Sequence, residues 1–160
     1  MKKWLSILML LAVPVWASPV ADLTLVGEGK MRWLFWDLYQ ARFYSDDGRY
    51  RPGDFPQALA LRYQRDIRQE DLLNATVEEW HRLGVVWKPE WRRQLERFWP
   101  SVRKQDELVL RVDENGVSRF YFNWRLLGTV EDPDFAPAFL AIWLSPDSRD
   151  PALTRKLKGS

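Results

Sequence analysis

Apolar and polar residues alternate over Ala58–Asp66, Glu107–Val112 and Val117–Asn123. A period of two marks half-buried strands. The last two stretches flank Asp113-Glu114-Asn115-Gly116, whose Asn-Gly pair is a strong hairpin signal. Arg125–Val130 fits as a third strand of that meander. Asp22–Val26 is a short apolar stretch that ends in Gly27-Glu28-Gly29. Met31–Tyr44 is dense in aromatic residues, which predicts one long bent strand or two strands broken near Asp37. Asp46-Asp47-Gly48 reads as a turn and Arg51–Pro56 as a loop.

Beyond Asp66 the period lengthens to that of a helix. Leu72, Leu73, Thr76, Val77, Trp80 and Leu83 share one stripe, and Gly84 ends it. Asp66 followed by Gln69 resembles a capping box, which places the helix start at Asp66. Pro89 opens a second helix to about Trp99, with Trp91, Leu95 and Phe98 inward and Pro100 beyond. Asp132-Pro133 caps a third helix that ends at Leu144, with Pro137 in its first turns. Asp150-Pro151 caps a fourth, to Lys156. Strands come first, then helices, a hairpin and more helices. That order predicts α+β, an antiparallel sheet with helices packed on one face, and one domain over residues 18–160.

The first residues follow another rule. Met1-Lys2-Lys3 precedes an apolar run from Trp4 to Val13, then Pro14-Val15-Trp16-Ala17. This is the layout of a secretory signal peptide cleaved after Ala17. The run is too short for a membrane span, which needs roughly 20 residues. The expected location is the periplasm of a Gram-negative host.

The leader changes the charge picture. The 160-residue chain has 24 basic and 22 acidic residues, a formal charge of +2 and a pI near 9.0. Lys2 and Lys3 account for the whole excess, so residues 18–160 are neutral. Nothing then argues for a nucleic-acid partner. Zero Cys excludes disulfides, thiol nucleophiles and Cys-ligated metals, and a single His, His81, excludes a two-histidine metal site. No cofactor is expected. His81 lies off the apolar stripe of its helix and reads as a surface residue.

Three segments carry a family likeness. They are Gly27-x-Gly29-x-x-Arg32 leading to Leu38-Tyr39 and Phe43-Tyr44; Tyr63-Gln64-Arg65-Asp66-Ile67 entering a helix that ends Leu83-Gly84; and Phe120–Asn123, Leu127-Gly128, Asp132-Pro133 and Ile142-Trp143-Leu144. In this order they resemble the chalcone isomerase-like family, in its exported bacterial branch. The resemblance implies a curved antiparallel sheet with helices against its concave face. It also implies an arginine that stabilises developing negative charge in the family's enzymes, with Thr, Tyr and Asn placing water and substrate. Arg32 is the nearest match to that arginine. The enzymes' Tyr and Asn fall near Arg68 and Ala75, and their threonines near Leu34 and near Ile142 or Trp143. With those groups replaced, the resemblance favours the fold over the enzymes' chemistry.

Trp33, Trp36, Tyr39, Tyr44 and Tyr63 would line a cleft between sheet and helices, and Arg32 would meet the acidic end of a ligand. Some members of the family bind fatty acids through an arginine and a tyrosine. The leading expectation is an exported binding protein for a small lipophilic ligand, fatty-acid-like or phenolic, with no assigned catalytic residue. One alternative is an isomerase or intramolecular lyase acting on a conjugated carbonyl, with Arg32 as oxyanion stabiliser and a tyrosine as proton donor. Another is a structural or partner-binding envelope protein. Asp37 reads as a partner for a nearby arginine or as a buried acid. Asn123 reads as turn chemistry.

Overall fold

The structure is a computed structural model and describes residues 17–160; the leader read over residues 1–17 lies outside them but for Ala17. Six antiparallel strands pair in chain order: β1 (Thr24–Trp33), β2 (Trp36–Ser45), β3 (Gln57–Tyr63), β4 (Glu107–Val112), β5 (Ser118–Phe122) and β6 (Arg125–Val130). Between β3 and β4 the chain forms α1 (Gln69–Leu83) and α2 (Pro89–Phe98). After β6 it forms α3 (Phe135–Leu144) and α4 (Pro151–Leu157). This is the expected α+β architecture, an open curved sheet carrying its helices on one face.

Strand alternation decides which side chains meet the helices. Ala41 pairs with Leu61, Leu61 with Leu108, and Leu110 with Phe120. All are buried in the main core. The opposite parity, with Ala58, Ala60 and Val109, forms a thin second cluster with Val20, Leu23, Tyr44 and Tyr121. Arg111 ties down the N-terminal segment there. Its guanidinium donates to the Pro19 carbonyl at 2.9 Å and to Asp22 at 2.8 Å. This hydrogen bond leads the causes that hold the Asp22 carboxyl below the usual carboxylate range.

Two helix starts differ from the sequence expectation. The capping box of Asp66 and Gln69 does not form. The N-cap of α1 is Arg68, with no side-chain cap bond. The Gln69 amide N–H instead donates to Ser101 Oγ at 2.9 Å, and its side chain donates to the carbonyls of Glu96 and Trp99. Asp66 accepts from the Lys104 N–H. An acceptor from a distant loop replaces the local one. Likewise α3 begins at Phe135, because Asp132 is occupied elsewhere. It accepts from Lys88 at 2.7 Å, from Trp91 Nε1 at 3.0 Å and from the Asp134 N–H. Pro137 then falls in the first turn, where no helix hydrogen bond is lost. Asp150 caps α4 as expected, accepting from the Leu153 N–H.

The aromatic stretch Met31–Tyr44 is two strands, broken at Leu34-Phe35 rather than at Asp37, and β1 already begins at Thr24. Gly27 and Gly29 have a packing reason. A Cβ at Gly27 would strike the Lys156 carbonyl, and one at Gly29 would meet Leu153 at 2.7 Å. The two glycines let α4 lie directly on β1. The α3 sequence FAPAFLAIWL has no polar residue, and the helix is buried on nearly every side, between the sheet, α1 and α4.

Candidate functional site

Between the first four strands and the helices lies a cavity of about 360 Å³. Its floor is Met31, Tyr39, Leu61, Tyr63 and Leu108. Leu72, Ala75 and Thr76 of α1, with Ile142 and Trp143 of α3, form the roof, and Phe139 and Trp99 close one side. Trp33, Asp71, Ala75, Glu78 and Arg149 also line it and are solvent-exposed, so they mark the opening. The volume lies within the ~300–1,000 Å³ range of small-molecule sites.

The polar groups inside are mostly donors. Trp143 Nε1 donates to the Tyr39 hydroxyl at 2.8 Å, leaving the Tyr39 O–H proton free for another acceptor. The Tyr63 ring meets Tyr39 edge-on at 5.8 Å, and its hydroxyl has no hydrogen-bond partner among the described residues. The Trp99 indole N–H is also unpaired, but it is enclosed by the fold and does not face the cavity. Burial pushes both tyrosine hydroxyls above the usual phenol range, so they are neutral donors near pH 7.

Charge sits at the opening. Burial would raise the Glu79 carboxyl, but hydrogen bonds from Arg82 and Arg149 outweigh it and hold the group below its ordinary value. Arg149 Nε donates to Glu79 at 2.7 Å, and its guanidinium lies 5.4 Å over the Trp33 ring. Among the described residues, no group of three or more His, Cys, Asp or Glu side chains is placed to hold a metal, and no helix is long and apolar enough to cross a membrane.

The sequence matches the family described as chalcone isomerase-like over residues 17–159. The chain belongs to the chalcone isomerase-like family. An uncharacterized protein of Haemophilus influenzae is 24% identical over 146 residues, which span 89% of this chain and 71% of the relative. A fatty-acid binding protein of Arabidopsis thaliana, known from its crystal structure, is similar with a TM-score of 0.70 at 14% identity. That match covers 89% of this chain and 90% of the plant protein, and at this identity it shows a shared fold.

Within this chalcone isomerase-like fold, three of the six residues read from the sequence come together: Trp33, Tyr39 and Tyr63 line the cavity. The other three do not. Arg32 follows a break in the β1–β2 register, does not line the cavity, is exposed and pairs with Asp37 at 2.9 Å. Trp36 begins β2 outside the cavity, exposed beneath the Arg65 guanidinium at 4.6 Å. Tyr44 has the opposite parity to Phe43 and packs in the small cluster on the far face. The cation at the opening is Arg149, from the loop before α4. It is far from Trp33 in the chain, so no local pattern marks it. In the sequence Trp99 reads as a helix end and Trp143 as core. The Trp143 indole N–H is the available signal, since a buried indole needs an acceptor.

Proposed function

We propose that the protein is exported and binds a small lipophilic acid, of fatty-acid or phenolic type, without transforming it. The observation that carries this reading is an apolar cavity furnished with unpaired hydrogen-bond donors. Tyr63 offers a proton that the fold leaves unused, and Tyr39 offers one more. Unpaired buried donors are costly until an acceptor arrives, and a carboxylate or carbonyl oxygen supplies one. The aliphatic and aromatic walls suit the remainder of such a molecule, and Arg149 stands at the opening. The plant fatty-acid binding protein of like fold adds support. Export is supported by the basic, apolar and small-residue order of residues 1–17.

The isomerase alternative required Arg32 beside a tyrosine in the cavity, and Arg32 is tied to Asp37 outside it. Native mass spectrometry of protein extracted from its host, followed by tryptophan-fluorescence titration with fatty acids of graded length, tests the binding reading. The expected result is a co-purifying acid and saturable quenching. A protein free of ligand and unresponsive to every acid and flavonoid tried would sink it. Mature protein beginning at Ser18 in a periplasmic extract tests export.

A further inference from the structure

The β1–β2 hairpin ends in Trp33-Leu34-Phe35-Trp36, and all four are open to solvent: 50%, 77%, 98% and 55% exposed. The backbone makes this apex stranger. Leu34 has φ 55° and Phe35 is not in the positive region, the pattern of a two-residue turn that favours glycine first. The β5–β6 turn, Asn123-Trp124, is left-handed at both residues, with φ 47° and 70°, but its side chains are held by the fold. Asn123 accepts from the Glu107 N–H at 2.9 Å, and Trp124 Nε1 donates to the Glu107 carboxylate at 3.2 Å. At Leu34-Phe35 the chain accepts both backbone strain and exposed apolar surface, and neither gains a contact in the fold. Strain retained without a folded-state return points to function.

Charge and position narrow the partner. Arg65 lies over the Trp36 ring, Arg149 lies over the Trp33 ring, and Arg32 adjoins the apex, paired with Asp37. Trp33 also lines the cavity, so the apex is continuous with its opening. Leu and Phe at the point, Trp on either side and guanidiniums behind them follow the polarity gradient of a lipid interface.

We propose that this hairpin tip docks the protein on an anionic lipid bilayer. Leu34 and Phe35 enter the acyl boundary, Trp33 and Trp36 rest at headgroup level, and Arg65, which has no ion-pair partner among the described residues, meets lipid phosphate. The tip is convex, as insertion into lipid requires. Docking in this way brings the cavity opening to the bilayer surface, where a lipophile could pass without crossing water. That last step rests on the binding reading; the docking does not.

Flotation of the purified protein with phosphatidylcholine vesicles, with and without phosphatidylglycerol, tests it. The protein should float with the anionic vesicles and only weakly with the neutral ones. Leu34→Asn combined with Phe35→Asp should cut association at least about tenfold. Asn tolerates the positive φ and both sites are exposed, so the thermal midpoint should hold. Val86→Ser, an exposed apolar change on the α1–α2 loop, should float like the wild type. Four results overturn the proposal: wild type that floats with neither vesicle, equal flotation with both, a double variant that floats unchanged, or a wild-type dimer that the double variant dissociates without any vesicle binding. Fatty-acid titration of the double variant in solution separates this from the binding reading, because Leu34 and Phe35 do not line the cavity.

Discussion

The space between sheet and helices is used in two ways. Over β5 it is filled with rings. Phe120 lies 5.4 Å from both Trp99 and Phe139 and 5.9 Å from Phe135, while Trp80, Trp91 and Phe135 interlock beside them. Over β1–β3 the same two layers hold a cavity. The difference lies in side-chain size, not backbone. Leu61, Ala75 and Thr76 leave room where Phe120, Trp91 and Phe135 leave none. Phe139 and Trp99 belong to both regions and form the partition. One half holds the layers together, and its rigidity keeps the other half open.

The largest expected effect falls on the filled half. Phe120→Ala removes a fully buried ring and should cost about 3–5 kcal/mol of stability by urea unfolding. A loss below about 1 kcal/mol would show that the rings are not close-packed and would erase the contrast. Ala75→Phe should act on the other half alone. A ring in the opening should lower ligand affinity at least about tenfold in fluorescence titration while stability changes by less than about 1 kcal/mol.

Tyr63→Phe is a finer probe. Its hydroxyl has no protein partner, so stability should hold or rise slightly, while affinity for a carboxylic acid falls about fivefold. A drop in stability would mean that the hydroxyl serves the fold rather than a ligand. The smallest effect concerns acid. The hydrogen bond from Lys88, aided by the Asp134 N–H and by Trp91, holds the Asp132 carboxyl below its ordinary value. That contribution is present above the unfolded carboxylate value near ~4 and is lost as pH falls through the folded value. Asp132→Asn should therefore flatten the acid limb of a thermal-midpoint profile by under about 1 kcal/mol, with the cavity's affinity unchanged.

The strands were legible because their side chains alternate between the two faces of the sheet, larger toward the helices; β4 and β6 match their expected bounds. The hairpin break at Leu34-Phe35 was not, because an apolar pair stands where turns usually carry Gly or Asn. The start of α1 was hidden because its acceptor, Ser101, comes from another loop. In the cavity, parity already held the correction. Tyr39 and Tyr44 have opposite parity on one regular strand, so only one of them can face the helices. Arg149, Trp99 and Trp143 reach the site through tertiary packing, so no local spacing announces them.

The seat that Gly27 and Gly29 make for α4 joins nearly the first strand of the described chain to its last helix. A contact between such distant segments forms late, since the loop it closes is almost the whole chain. Until Leu157 is available, β1 lacks its cover and the loop that carries Arg149 has no anchor. Docking of α4 on β1 is therefore also the step that brings Arg149 to the opening of the cavity.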